Sequence, residues 1–150
     1  MEKYLRETTL PALERGFAKA GKRREDFQIS YPMFVVTGNT EEDLAEAKQA
    51  TRQQIAFYGS TPAYKPVLDS VGAGELQPEL NVMSKQGRWQ EMAELITPDL
   101  LQEFAVIGEP QTLPEQIIQR YGDVVDRTSA AYAHIGKADR ANIIEKLSAV

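Results

Sequence analysis

An α/β fold with parallel strand pairing is what this sequence predicts, and three observations lead there. Helical and strand patterns alternate in the order helix–strand–helices–helix–strand–helix. Each strand pattern is followed by a helical return, the connection that parallel strands need. Only two stretches, about 27–36 and 124–132, read as full strands, and a lone two-stranded sheet is marginal in water. The residues fit the last part of a larger barrel better than a complete domain.

The first helix is expected from about Tyr4 to Ala20. Leu5, Leu13, Phe17 and Ala20 fall near one face, and Gly21 offers a stop. Pro11 sits inside the pattern and should kink or restart it, with Thr8 or Thr9 as a cap. From Phe27 to Val36 the apolar residues occupy both faces, Ile29, Tyr31, Met33 and Val35 against Phe34 and Val36. That pattern suits a strand covered on both sides. Pro32 does not suit a central strand and marks a bulge or irregular start.

Thr40 is a good N-cap, followed by Glu41, Glu42 and Asp43 where the helix dipole favours acids. The helix should run to about Phe57 and bury Leu44, Ala47, Thr51 and Ile55. Short helices then fill 58–104, broken at Gly87 and restarted at Thr97-Pro98. Ala105–Gly108 reads as a short extended segment. A helix from about Pro114 to Tyr121 ends at Gly122, and Val124 to Ala131 supplies the second strand. A closing helix from about Ala138 to Ala149 is expected to bury Ile143, Ile144 and Leu147.

Composition removes several function classes. Of 150 residues 42% are hydrophobic, enough for one domain with a real core, and the net charge is −5. The only short basic run is Lys22-Arg23-Arg24, so no nucleic-acid surface is expected. Zero cysteines exclude disulfides, thiolate catalysis and cysteine-held metals, and fit a reducing compartment. No stretch approaches the length of a membrane span, so a soluble, cytoplasmic protein is expected. There is no GxGxxG, no P-loop, no nucleophile-elbow serine and no metal loop.

The most informative stretch is Gln53–Leu68, where Tyr58 and Tyr64 flank a Gly-Ser-Thr-Pro turn between two helical patterns. A tyrosine joins an apolar ring to a polar tip and suits a pocket wall. Gly59 lets the backbone bend or approach a ligand, and Pro62 can open the next helix. Tyr58 and Tyr64 therefore either face a substrate or pack the helix junction. Lys65 is an anion contact or a solvated lysine, and Trp89 covers the pocket or anchors a short helix. Arg127 could hold an anionic group by a bidentate fork, but at the start of a strand it reads as a surface or salt-bridge residue. His134, the only histidine, follows the last strand with no carboxylate at a telling spacing and reads as a loop residue.

The segments Tyr4–Gly16, Phe34–Gly38 and Ile55–Tyr64 resemble the C-terminal portion of luciferase-like monooxygenases, closest to the subgroup that depends on the deazaflavin coenzyme. Phe104-Ala105-Val106-Ile107-Gly108-Glu109-Pro110 and the strand around Asp126-Arg127 extend the likeness over about 3–132. The resemblance implies a partial (β/α)₈ TIM barrel, with 27–36 and 124–132 as its last two strands and 58–104 as a helical insertion at the mouth. No segment resembles the earlier strands.

It also implies an oxidoreductase acting on a small organic substrate with the deazaflavin coenzyme (F-420) or FMN, and without a metal. Tyr58, Tyr64, Lys65 and Trp89 would face the substrate. Thr37 and Gly38, at the C-terminal end of a barrel strand where active sites are built, would face the coenzyme. Their other reading is a strand terminator. The remaining alternatives are an inactive fragment that self-associates through exposed strand edges, and a compact helical interaction module. A homo-oligomer or a complementing barrel half is the expected partner.

Overall fold

In the structure, a computed structural model that describes residues 1–149, the chain begins helical. Here α1 (Glu2–Tyr4) passes through a π-helical turn (Leu5–Thr9) into α2 (Leu10–Ala20). Pro11 is the cause, because it has no N–H and its ring crowds the carbonyl four residues back. The expected threonine cap is not formed: Thr9 is itself helical (φ −72°, ψ −50°), so the helix continues through the wide turn. Gly21 ends α2 at φ 64°, and the Lys22 N–H closes on the Phe17 carbonyl at 2.9 Å.

The strand expected over 27–36 is two short ones, β1 (Ser30–Pro32) and β2 (Phe34–Val36). They belong to different sheets. β2 pairs in parallel with β3 (Ala105–Ile107), placing Val35 opposite Val106. β1 pairs in parallel with β4 (Arg127–Ser129), placing Tyr31 opposite Thr128. The chain changes sheets at Met33, just after the proline that cannot donate to a ladder. Met33 still donates to the Ser129 carbonyl at 2.9 Å. The second expected strand is also shorter than 124–132. Val124 and Val125 donate to the Tyr121 carbonyl, so they finish the preceding helical turn instead of opening the strand.

Between the strands, α3 (Glu41–Gly59) opens on a capping box. Asp43 N–H donates to Thr40 Oγ1 at 3.0 Å, and Thr40 N–H donates to the Asp43 carboxylate at 3.1 Å. The helical segment follows as α4 (Lys65–Asp69), α5 (Leu76–Lys85), α6 (Trp89–Glu94) and α7 (Pro98–Phe104). After β3 come α8 (Leu113–Tyr121), β4 and α9 (Lys137–Ser148). The last helix buries Ile143 with Leu147 half-buried, but Ile144 is 53% exposed because it turns to the opposite face.

Alternation along β2 positions two cores. Val36 packs with Ala47, Ile55, Leu80, Met92 and Ala105. Val35 packs on the other side with Leu5, Val106, Ile117, Tyr121 and Ile143. Successive strand residues point to opposite faces, so the β2–β3 pair is the layer between the clusters. The described residues thus form an α/β arrangement of two small parallel sheets under helices. Among them no helix is long and apolar enough to cross a membrane.

Candidate functional site

A cavity of about 860 Å³ opens where the N-terminal helical run, the strands, α3 and the chain after β4 meet. Leu5, Met33, Val35, Ile55 and Leu68 make much of its wall apolar. Polar tips interrupt that wall at Tyr31, Thr37, Tyr58, Tyr64, Tyr132 and His134. An apolar concavity with a few convergent polar groups is the general form of a small-molecule site.

Tyr58 and Tyr64 arrive together because the turn between them is tied down. Ser60 donates through Oγ to the Phe57 carbonyl at 2.7 Å, and the Tyr64 N–H closes on the Thr61 carbonyl at 2.9 Å. From α5, Asn81 Nδ2 and Gln77 Nε2 both donate to the Ser60 carbonyl, at 2.9 and 3.2 Å. Gly59 permits this closeness, since a Cβ there would lie 3.1 Å from Leu80 Cδ1. Pro62 opens the 3₁₀ turn Pro62–Tyr64, as its fixed φ allows. The two tyrosine rings lie 5.5 Å apart between centroids, and both line the cavity while remaining partly exposed.

Thr37 directly follows β2 and is 3% exposed, and its Oγ1 has no hydrogen-bond partner. A buried hydroxyl left unsatisfied costs about 1–3 kcal/mol. Gly38 is outside the cavity wall. A Cβ there would meet Asp43 Cβ and the Leu44 nitrogen, each at 2.6 Å, so its small size serves the close approach of α3.

Two further expected contacts are also elsewhere. Lys65 Nζ pairs with Asp69 Oδ1 at 2.7 Å within its own helical turn and does not line the cavity. Trp89 lies in a separate shallow recess with Gln53, Phe57 and Arg88, its ring 6.0 Å from Phe57. The aromatic contacts Phe57–Tyr58 and Phe57–Trp89 link the recess to the cavity rim. Arg127 is exposed at the start of β4, as a surface residue would be.

His134, read from the sequence as a loop residue, does lie in the turn between β4 and α9. It lines the cavity, and its Nδ1 lies 3.5 Å from Glu46 Oε2 on α3. The usable signal was its place just after a strand's C-terminal end, where α/β sites are built. Its carboxylate neighbour is remote in sequence and leaves no spacing to read. Tyr132, beside it, is half-buried, and burial pushes its phenol pKa above the usual value. Among the described residues no group of three or more His, Asp and Glu side chains gathers to hold a metal ion.

Comparison with known proteins fits this geometry. The family model described as luciferase-like monooxygenase matches residues 2–127. Uncharacterised proteins of Mycobacterium tuberculosis and Mycobacterium bovis are 47% identical over 126 residues, covering 84% of this chain and 37% of theirs. A 5,10-methylenetetrahydromethanopterin reductase of Archaeoglobus fulgidus is 30% identical over 113 residues, 70% of this chain and 32% of that protein. The chain therefore matches about a third of the length of these relatives. No solved structure gives a significant match. The chain belongs to the luciferase-like monooxygenase family.

Proposed function

We propose that this chain is the closing part of a luciferase-like (β/α)₈ barrel and forms the substrate side of the pocket of an oxidoreductase. The observation that carries this reading is the cavity itself, apolar, walled by Tyr58 and Tyr64 and reaching Thr37 just past the C-terminal end of a parallel strand. That is the end of a barrel where chemistry is assembled. Family membership and likeness to a protein named as a reductase support redox work on a small organic molecule.

The coenzyme of this reading is flavin-type, FMN or the deazaflavin F-420. When bound, it would supply the hydride chemistry, while the protein orients and shields the reacting atoms. The residues present fit such a planar ring: the cavity wall is mainly apolar, with the Tyr58 and Tyr64 rings on one side of it. Tyr58 and Tyr64 then bound the substrate side of the same space.

Titration of FMN and of F-420 with the purified chain, followed by coenzyme fluorescence, tests this. Saturable binding below roughly 100 μM, about −5.5 kcal/mol, is expected for at least one of them. Absence of binding at high micromolar concentration overturns the coenzyme assignment. It would favour the second reading, a catalytically inactive fragment that associates through its strand edges. One observation recommends that alternative: both sheets have only two strands.

A further inference from the structure

Among the described residues, the wall of the large cavity holds no lysine, arginine, aspartate or glutamate, although 26% of the chain is of these four types. Its polar side chains are tyrosines, threonines, Ser129, Gln54 and His134. Cations that come close to it are engaged elsewhere. Lys65, next to Tyr64, pairs with Asp69 at 2.7 Å. Arg120 donates to Glu2 and to the carbonyls of Gln102, Glu103 and Ala105. Burial, helped by the nearby Arg120, pushes the Met1 amine on this wall down to about 6, so it is uncharged at about pH 8. A charge that stands behind the wall, on Glu46 Oε2 3.5 Å from His134 Nδ1, is negative. Aromatic rings reach the same space from separate elements: Tyr31 from β1, Phe34 from β2, Tyr58 from α3, Tyr64 from the turn beyond it and Tyr132 after β4.

We propose that this cavity admits an uncharged, flat, mainly apolar molecule and turns away carboxylates, sulfonates and phosphates. An anion that enters gives up its water and meets no cation in return, and a buried charge without a partner is strongly disfavoured. A neutral ring loses little hydration and packs against the aromatic and aliphatic wall. The hydroxyls of Tyr58 and Tyr64, at the partly exposed side of the cavity, can each donate or accept for a neutral polar group on such a molecule. The inference rests on the cavity being the substrate pocket, as proposed above, and narrows the substrate to the uncharged class.

The test compares 2-naphthamide and 2-naphthoate, two probes that differ in charge and hardly in shape, by calorimetric titration of the whole chain at about pH 8. The wild type should bind the amide at least about tenfold more tightly than the carboxylate. The preference should persist in about 1 M salt, where screening shortens to about 3 Å and the overall charge of −5 no longer repels the carboxylate. Gln54 is an exposed residue of α3 on this wall. Gln54→Arg should strengthen naphthoate binding about fivefold in about 0.1 M salt, by offering its carboxylate a fork, and leave naphthamide within about twofold. Naphthoate bound as tightly as naphthamide by the wild type in either salt, or an unchanged preference in Gln54→Arg, overturns the neutral class and leaves the cavity standing. Failure of the wild type to bind either probe at millimolar concentration overturns the cavity reading and this inference with it.

Discussion

At Gly38 an added methyl group has nowhere to go, because Asp43 Cβ and backbone atoms of Asp43 and Leu44 already occupy its position at 2.6–2.8 Å. Backbone cannot swing aside as a flexible side chain can, so Gly38→Ala should cost about 1–3 kcal/mol. Gly16 offers the contrast: it lies in α2 with nothing within 4 Å of its missing Cβ. Gly16→Ala should add about 0.5–1 kcal/mol by restricting the unfolded chain and favouring helix. Urea melts of the two variants check both signs, and a Gly38→Ala protein as stable as the parent would contradict the packing described. Thr37→Val belongs to the same scale. It deletes a buried hydroxyl without a partner and keeps the side-chain shape, so the melt should move little or rise by about 1 kcal/mol.

Between elements, the guanidinium of Arg120 does what no local signal announces. Its Nη1 donates to the carbonyls of Gln102 and Ala105 at 3.1 and 3.0 Å, and its Nη2 donates to that of Glu103 at 2.8 Å. Two carbonyls in the last turn of α7 and that of Ala105 just beyond it are thereby satisfied, a need every helix C-terminus has. Its Nε donates to Glu2, which also receives Arg6 Nε at 2.8 Å. Arg120→Lys keeps the charge but loses the fork, and about 1–3 kcal/mol of stability should go with it. Acid should expose the same cluster. Burial pushes the Glu2 carboxyl up, but the bonds from Arg6 and Arg120 outweigh it and hold the group below its usual range. The Ile29 N–H and Arg24 do the same for Asp126 at the start of the β1–β4 pair. A depressed carboxylate stabilises the fold above its unfolded value and loses that contribution as pH falls through the folded one. The melting temperature should therefore drop as pH falls below about 4, and drop less steeply in Glu2→Gln. The N-cap at Thr40, the glycine stop at Gly21 and the Thr97-Pro98 restart were legible because their partners lie within about one helical turn. Arg120 and His134 were not, because their partners come from other elements.

For the whole molecule, the two-faced apolar pattern around Phe34–Val36 announced a covered strand, and the two cores on either side of β2 are its physical content. The pattern could not say which strand it joins. Pairing partners are set by long-range packing, and a proline in the middle of one run let the chain divide its pairing between two sheets at Met33. The consequence concerns association. Among the described residues each of the four strands is paired along one edge alone, and an unpaired edge presents a row of N–H and C=O groups to any further strand. Two-stranded sheets also gain most from added strands, being marginal when isolated. The chain should therefore associate in solution, and light scattering behind a sizing column should give a mass above that of the monomer, rising with concentration. Hydrogen exchange should then slow in β1 and β4, because association through their edges covers those amides, while exchange in α5 and α6 stays the same. A monomeric mass at every concentration, with one cooperative unfolding transition, would mean that the two small sheets are sufficient as they stand and would remove the structural reason for expecting a partner.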